Sequence, residues 1–125
     1  MTEHEIPDDI YKEHILELYK HPQNFGLLKN PTHEATKHNS VCGDEITAQL
    51  LIKEGIVKDI KFQGSGCVIA IVAASLLSEK LKGMSTESIK KMNPETVLSL
   101  LHTKLTPSRI KCALLAFEAV KEALR

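Results

Sequence analysis

The sequence has no excess of charge of either sign and no long apolar run. Its 125 residues carry 16 basic and 16 acidic side chains, so nothing favours a nucleic-acid partner, which usually requires a basic surface. The longest apolar run, CVIAIVAASLL, is much shorter than the roughly 20 residues that span a membrane. The acidic start, MTEHEIPDDI, also lacks the basic-then-apolar layout of a secretory signal. We therefore expect a cytoplasmic protein with neither a membrane nor a nucleic acid as partner.

Cysteine is scarce, with single residues at positions 42, 67 and 112. Three thiols cannot all pair within one chain. Without an export signal, they are expected to be free thiols rather than a disulfide framework. Their spacing matches neither the paired C-x-x-C motifs of zinc domains nor the cysteine runs of ferredoxins. Spacing alone is thus a weak indication of a metal site.

Repeats, low-complexity tracts and linkers are also missing from the sequence. Its 42% hydrophobic and 26% charged residues are ordinary values for a globular protein, and the length is sufficient to bury a core. We expect residues 1–125 to form a single domain.

Two stretches predict a β-hairpin. ITAQLLI places Ile46, Ala48, Leu50 and Ile52 on one face, and IVKDIKF repeats the alternation with Ile56, Ile60 and Phe62, interrupted by Lys58. Because only KEG separates them, an antiparallel pair with one packed face and one wet face is expected. The polar stretch from Leu27 to Ser40 gives only a weak strand signal.

Helices are predicted on both sides of the hairpin. Asp8 is expected to cap a first helix, which ends at HPQNFG and carries its apolar residues at three- and four-residue steps: Ile10, Tyr11, Ile15, Leu18 and Tyr19. After the hairpin, GSG is expected to break the strand. The stretch from Cys67 to Leu81 then predicts a helix whose first three turns are apolar on every side, and such a helix is buried.

The C-terminal third predicts three further helices. Ser85 can cap a short helix through Met92, and Asn93 with Pro94 forms a cap and first helical residue. Thr106 and Pro107 repeat this arrangement and open a final helix. The chain is therefore predicted to be an α+β unit, a small antiparallel sheet with helices packed on it.

The final helix has a main apolar stripe and a narrower seam. The stripe contains Ile110, Ala113, Leu114, Phe117, Val120 and Leu124. Cys112 lies off this stripe, on the seam with Ala116, Ala119 and Ala123. That separation argues against a role in packing alone, although close packing along the alanine seam is the alternative.

Each cysteine falls where a predicted element begins. Cys42 sits in a Cys-Gly-Asp turn, which is either an ordinary tight turn or a bend that lets a thiolate and the carboxylate of Asp44 point at one ion. Cys67 opens the buried helix. It is either a small core residue or a thiolate favoured by the helix N-terminus.

Cys112 lies near the start of its helix, directly after Lys111 and three residues after Arg109. Positive neighbours are expected to lower the pKa of its thiol. If these junctions meet at one end of the sheet, three thiolates and one carboxylate would suit zinc or the iron of a sulfide cluster. The six histidines are interpreted as surface or helix-end residues, with His33 and His38 the least certain.

The sequence resembles the U-type iron–sulfur cluster assembly scaffolds, the group that includes IscU, SufU and the NifU N-terminal domain. The resemblance runs from YKEHILELYKHPQNFGLL through VCGDEITAQLLI and VKDIKFQGSGCVIAIVAASLLSEKLKG to RIKCALLAFEAV. It implies a three-stranded antiparallel sheet with about five helices, the third strand lying between roughly His33 and Asn39. It also implies that Cys42, Asp44, Cys67 and Cys112 occupy the ligand positions of the family.

Two departures mark this chain as mixed in type. Where the IscU branch has a histidine before the third cysteine and a proline-rich chaperone motif, this sequence reads LTPSRIKC, with Lys111 in the histidine position. RIKC looks like the zinc-holding SufU branch. That branch, however, commonly carries an insertion between the second and third cysteines, and the interval here is compact.

The resemblance implies a scaffold that accepts sulfur from a cysteine desulfurase, binds iron, builds a [2Fe–2S] cluster and passes it to apo-proteins. Its implied partners include an electron donor such as ferredoxin and, in the cluster-bound state, a second copy of the chain. IscU likeness makes Cys112 the first sulfur acceptor, whereas SufU likeness makes it Cys42. The rival hypotheses are a zinc-dependent sulfur-transfer protein that builds no cluster and a purely structural zinc domain.

Overall fold

The structure is a computed structural model that describes the backbone of residues 8–125 and the side chains of residues 13–125. Within residues 8–125, three strands form one sheet and five helices accompany them, which confirms the predicted α+β fold. In chain order the elements are α1 (Asp8–Lys20), β1 (His33–Asn39), β2 (Asp44–Lys53), β3 (Ile56–Ser65), α2 (Val68–Leu81), α3 (Thr86–Lys91), α4 (Pro94–Ser99) and α5 (Pro107–Ala123).

The sheet is antiparallel, with β2 in the centre. Strand β1, which only the family resemblance implied, pairs with β2 from His33 opposite Leu50 to Asn39 opposite Asp44. Its sequence HEATKHN is polar because β1 is an edge strand whose residues alternate between half-buried and exposed. Pairing with β2 brings the end of β1 beside the start of β2.

The β2–β3 hairpin is confirmed, but one of its predicted core residues is wrong. The two-residue loop has positive φ at Glu54 (53°) and Gly55 (74°), the conformation that a tight hairpin requires and that glycine adopts without strain. Between Leu51 and Ile52 the register shifts, and the bulge leaves Val57 fully buried and Ile56 only half-buried.

Strand β3 also continues further than predicted, through Ser65, so the break falls at Gly66. Gly64, opposite Ile46, has a φ of 143°. A Cβ atom there would lie 2.0 Å from the carbonyl oxygen of Glu45. Glycine lets the two strands approach closely and keeps their pairing intact up to the site.

Helix α2 is buried as predicted and begins at Val68, with Cys67 as its N-cap residue. The predicted caps of α3 and α4 are confirmed, since the side chains of Ser85 and Asn93 accept hydrogen bonds from backbone N–H groups. Thr106 occupies the cap position of α5 but makes no side-chain cap hydrogen bond.

Helix α5 corrects the interpretation of its alanine seam. It packs against the sheet and against α2 and α4, so the seam is buried along with much of the stripe. The buried residues of α5 are Cys112, Ala113, Leu115, Ala116, Phe117, Ala119, Val120 and Ala123. The alternative that Cys112 packs closely along the alanine seam is therefore confirmed, and its position off the main stripe does not separate it from the packed surface.

Helix α1 packs on the second, smaller group of buried residues through Ile15 and Leu18, whereas Tyr19 is exposed. The predicted roles of the Asp8, Ile10 and Tyr11 side chains lie outside the described residues. Within residues 8–125, no helix combines the length and apolarity needed to cross a membrane.

Candidate metal centre

Four sequence-predicted residues are delivered to the site by three junctions of the fold. The β1–β2 turn carries Cys42, next to Gly43, whose φ is 72°. Asp44 is the first residue of β2, and Cys67 caps α2. Cys112 lies in the second turn of α5. Antiparallel pairing and the packing of α5 on the sheet bring these junctions together.

The ligand atoms of Cys42, Asp44 and Cys112 all lie within 4.8 Å of one another. The closest pair is the two sulfur atoms of Cys112 and Cys42, which are 3.2 Å apart, with the Cys112 thiol as donor. All three cysteines are free thiols. One ion bound at this point would be within reach of two sulfurs and one carboxylate oxygen.

Asp44 provides the independent indication of a cation. Its side chain is 3% exposed. Its Oδ1 accepts a hydrogen bond of 3.1 Å from the backbone N–H of Cys67, whereas Oδ2 is buried and has no hydrogen-bond partner among the described residues. A buried carboxylate oxygen without a partner is costly, and a metal ion is one way to satisfy it.

Cys67 interacts with Asp44 through its backbone N–H and with Cys112 through its thiol. The thiol lies outside the group of three, but it acts on the Cys112 thiol through a hydrogen bond and through charge. Its half-buried position at the start of α2 keeps it at the edge of the site. The structure therefore brings Cys42, Asp44 and Cys112 together tightly and sets Cys67 beside them.

The expectation for the pKa of Cys112 is wrong for the metal-free chain. Burial raises the pKa of the Cys112 thiol, and the neighbouring Cys42, Cys67 and Asp44 raise it further. The cations of Arg109 and Lys111 are exposed and do not offset the loss of water. Metal would reverse this direction, because a coordinated thiol is deprotonated.

The donor set fits the metals that the sequence predicts. Thiolate sulfur is the preferred ligand of zinc and of iron–sulfur clusters, and a carboxylate oxygen completes such a set.

Sequence reasoning missed Asn39, whose side-chain Nδ2 lies 3.8 Å from the sulfur of Cys112. The sequence feature that could have pointed to Asn39 is an asparagine just before the Cys-Gly-Asp turn, where its side chain can accept a hydrogen bond from the backbone two residues later.

None of the five histidines whose side chains the structure describes belongs to this cluster. His38 contacts the carboxylate of Glu45 across the strands on the exposed surface, and His33 contacts the hydroxyl of Thr32.

The fold and this cluster define a class of α+β proteins in which three junctions gather thiols and a carboxylate. The chain belongs to the NifU-like N-terminal domain family, whose model matches residues 10–125.

Curated relatives of both branches cover nearly the whole chain. The iron–sulfur cluster assembly scaffold protein IscU of Thermotoga maritima is 35% identical, with 93% of each chain aligned. The zinc-dependent sulfurtransferase SufU of Bacillus subtilis is 29% identical over 94% of this chain and 90% of the relative.

Two solved structures share the fold. FiSufU from Fervidobacterium islandicum superimposes with a TM-score of 0.79 at 24% identity, covering 96% of this chain and all of the other. The N-terminal part of a NifU-like protein from Brucella abortus has a TM-score of 0.74 at 22% identity over 94% of both chains.

Proposed function

We propose that this protein is a scaffold that accepts sulfur from a cysteine desulfurase, binds iron and builds a [2Fe–2S] cluster for apo-proteins. The observation that carries the proposal is the convergence of ligand atoms from Cys42, Asp44 and Cys112 within 4.8 Å. The unpartnered Oδ2 of Asp44 supports a positive charge at this point. The likeness to the Thermotoga maritima scaffold supports iron–sulfur cargo over other metals.

Four residues would hold the cargo. Cys42, Cys67 and Cys112 supply thiolates, the softest ligands that the chain offers to cluster iron. Asp44 supplies a carboxylate oxygen, which is harder than sulfur and binds cluster iron less strongly. A scaffold must release its product, and one weak ligand favours release.

Sulfur acceptance is a thiol–disulfide exchange in form. A thiolate of the scaffold attacks the outer sulfur of the desulfurase persulfide, a new sulfur–sulfur bond forms, and the desulfurase cysteine leaves as a thiolate. Cys112 is the acceptor by IscU likeness, and Cys42 is the acceptor by SufU likeness. The exposure of Cys42 and the burial of Cys112 support Cys42 for the first encounter.

Cluster assembly then needs electrons as well as iron. Each transferred sulfur must gain two electrons to become sulfide. Two ferrous ions that become ferric supply half of the electrons for two sulfides, and an electron donor such as ferredoxin supplies the other half. A surface hollow of about 520 Å³ bordered by Gly43, Asp44 and Ser65 gives access for iron, and a second copy of the chain would cover the cluster.

The test is anaerobic reconstitution with ferrous iron, cysteine and a cysteine desulfurase. We expect visible absorption and Mössbauer spectra of a [2Fe–2S] cluster, followed by transfer to an apo-ferredoxin. Cys112→Ser should lose the cluster, and Ser99→Ala, an exposed change on α4, should keep it. A colourless protein that only stimulates the desulfurase would contradict the scaffold proposal.

A zinc-dependent sulfur-transfer protein is the second candidate. The likeness to the Bacillus subtilis sulfurtransferase supports it, as does a donor set sufficient for one tetrahedral zinc ion. In that case one thiolate leaves the metal to accept sulfur. Persulfide formation on the zinc-loaded chain, together with failure to assemble a cluster, would favour this candidate.

A further inference from the structure

The side chain of Asn39 links the two segments that carry Cys42 and Cys112. Asn39 ends β1 opposite Asp44, and its side chain makes two hydrogen bonds. Its Oδ1 accepts from the backbone N–H of Val41 at 3.2 Å, and its Nδ2 lies 3.8 Å from the sulfur of Cys112. One amide therefore contacts both the turn that carries Cys42 and the helix that carries Cys112.

The orientation of this amide follows from its partners. A backbone N–H can only donate, so the amide oxygen must face Val41. This Asx turn leaves the amide NH₂ group directed at Cys112. A sulfur that has lost its proton to a metal can only accept, so the contact becomes a charge-assisted hydrogen bond when metal binds.

The other groups acting on this sulfur belong to the proposed ligands Cys42, Cys67 and Asp44. These groups would turn to the metal once it is bound. The amide of Asn39 carries no charge and is not a ligand of the proposed set, so it can keep its contact with the sulfur. Lys111, next to Cys112 in sequence, is exposed.

We propose that Asn39 is a positioning residue, whose N–H donates to the Cys112 sulfur and sets how strongly that sulfur binds metal. The inference rests on the proposed function, since it requires a metal held through Cys112. Hydrogen-bond partners of this kind hold the ligand in the orientation that the metal requires. Their removal typically costs about 10- to 100-fold in metal affinity.

Two substitutions separate the donor from the turn. Asn39→Ala removes both hydrogen bonds. Asn39→Ser retains a side-chain oxygen that can accept from Val41 in the corresponding turn, but it has no amide to reach Cys112. Ser40→Ala is the matched control, because Ser40 is an exposed residue of the same turn.

The experiment titrates the intact chain anaerobically with Co²⁺ and then displaces the cobalt with Zn²⁺ in the presence of a competing chelator. We expect both Asn39 variants to bind zinc about tenfold more weakly or worse. Their sulfur-to-cobalt charge-transfer band should move to longer wavelength, because a sulfur without its donor holds more electron density. Ser40→Ala should match the parent in affinity and in band position.

The results distinguish a donor to the Cys112 sulfur from a residue that only holds the turn. Parent-like affinity and an unshifted band in Asn39→Ser would overturn the inference, even if Asn39→Ala were weakened, because the turn alone would then account for the effect. A parent chain that shows no sulfur-to-cobalt band would overturn the proposed metal site, and the role of Asn39 with it.

Discussion

The sulfur of Cys112 lies 3.2 Å from the sulfur of Cys42, across a separation of 70 residues in the chain. The two thiols differ in access, because Cys42 is exposed and Cys112 is 1% exposed. Under the proposed function, a partner protein can therefore reach Cys42 directly, while Cys112 is in position to take over its sulfur or to bind the same metal ion.

This asymmetry predicts which thiol receives sulfur first. After a brief reaction with a desulfurase and cysteine, we expect Cys112→Ser to carry an added sulfur atom on Cys42. Cys42→Ser should carry little, because its remaining close thiol is buried. Mass spectrometry of alkylated peptides locates the added sulfur. Rapid labelling of Cys112 in the Cys42→Ser chain would instead identify Cys112 as the acceptor.

Asp44 is predicted to limit how long the cluster stays bound. Asp44→Ala should retain a reconstituted cluster longer than the parent, since the weakest ligand has been removed and the exchange it permits is slowed. Anaerobic decay of the visible absorption in the presence of a chelator measures the lifetime. Asp44→Asn, which can still accept from Cys67, is the matched comparison. Equal or faster decay in Asp44→Ala would contradict the release role.

Gly66 is predicted to protect the position of the Asp44 carboxylate. A Cβ atom at Gly66 would lie 3.2 Å from Asp44 Oδ1 and 3.1 Å from the Cβ atom of Ala70. Gly66→Ala should therefore displace the carboxylate, lowering zinc affinity about tenfold and the free energy of unfolding by about 1 kcal/mol or more. Metal competition and denaturant titration measure these effects. Ser65→Ala, at an exposed neighbour, should change neither, and parent-like zinc affinity in Gly66→Ala would reject the prediction.

Local signals in the sequence predicted much of the fold. The hairpin loop and the caps at Ser85 and Asn93 depend on residues that touch each other across a few positions. Local signals could not predict that Val57 rather than Ile56 is buried in the core, because both side chains are β-branched and apolar. The burial of Val57 depends on distant partners, since its backbone bonds to Gly83 and Met84 beyond α2.

In the candidate site, too, the residue types could be predicted from the sequence, whereas the effects of tertiary packing could not. The chemistry of the cysteines and of Asp44 identified candidate ligands, and the family resemblance grouped them. The pKa of Cys112 and the contact of Asn39 depend on how α5 packs beside the end of β1, and neither residue type carries that information. Periodicity alone also missed Leu115, because α5 is covered on two sides rather than one.

Removing metal is predicted to leave the chain folded. The main apolar core, which includes Leu50, Ile60, Phe62 and Leu77, does not depend on the candidate ligands. Saturating zinc should add stability, about 2.7 kcal/mol at a free concentration of about 100 Kd. Chelation should remove that increment while far-UV circular dichroism and cooperative melting persist. Loss of helical signal on chelation would instead support the structural zinc domain.

The alanine seam of α5 is predicted to be required for packing rather than for chemistry. Ala119 is fully buried in a helix that contacts both the sheet and α2. Ala119→Leu should lower the free energy of unfolding by about 1–3 kcal/mol, because the added carbon atoms have no space without movement of the helix. Glu118→Leu, at the adjacent exposed position, introduces the same side chain and should change the denaturant midpoint little. Equal midpoints for the two variants would show that the sheet and α2 leave room beside the seam, and that small residues are not needed there for close approach.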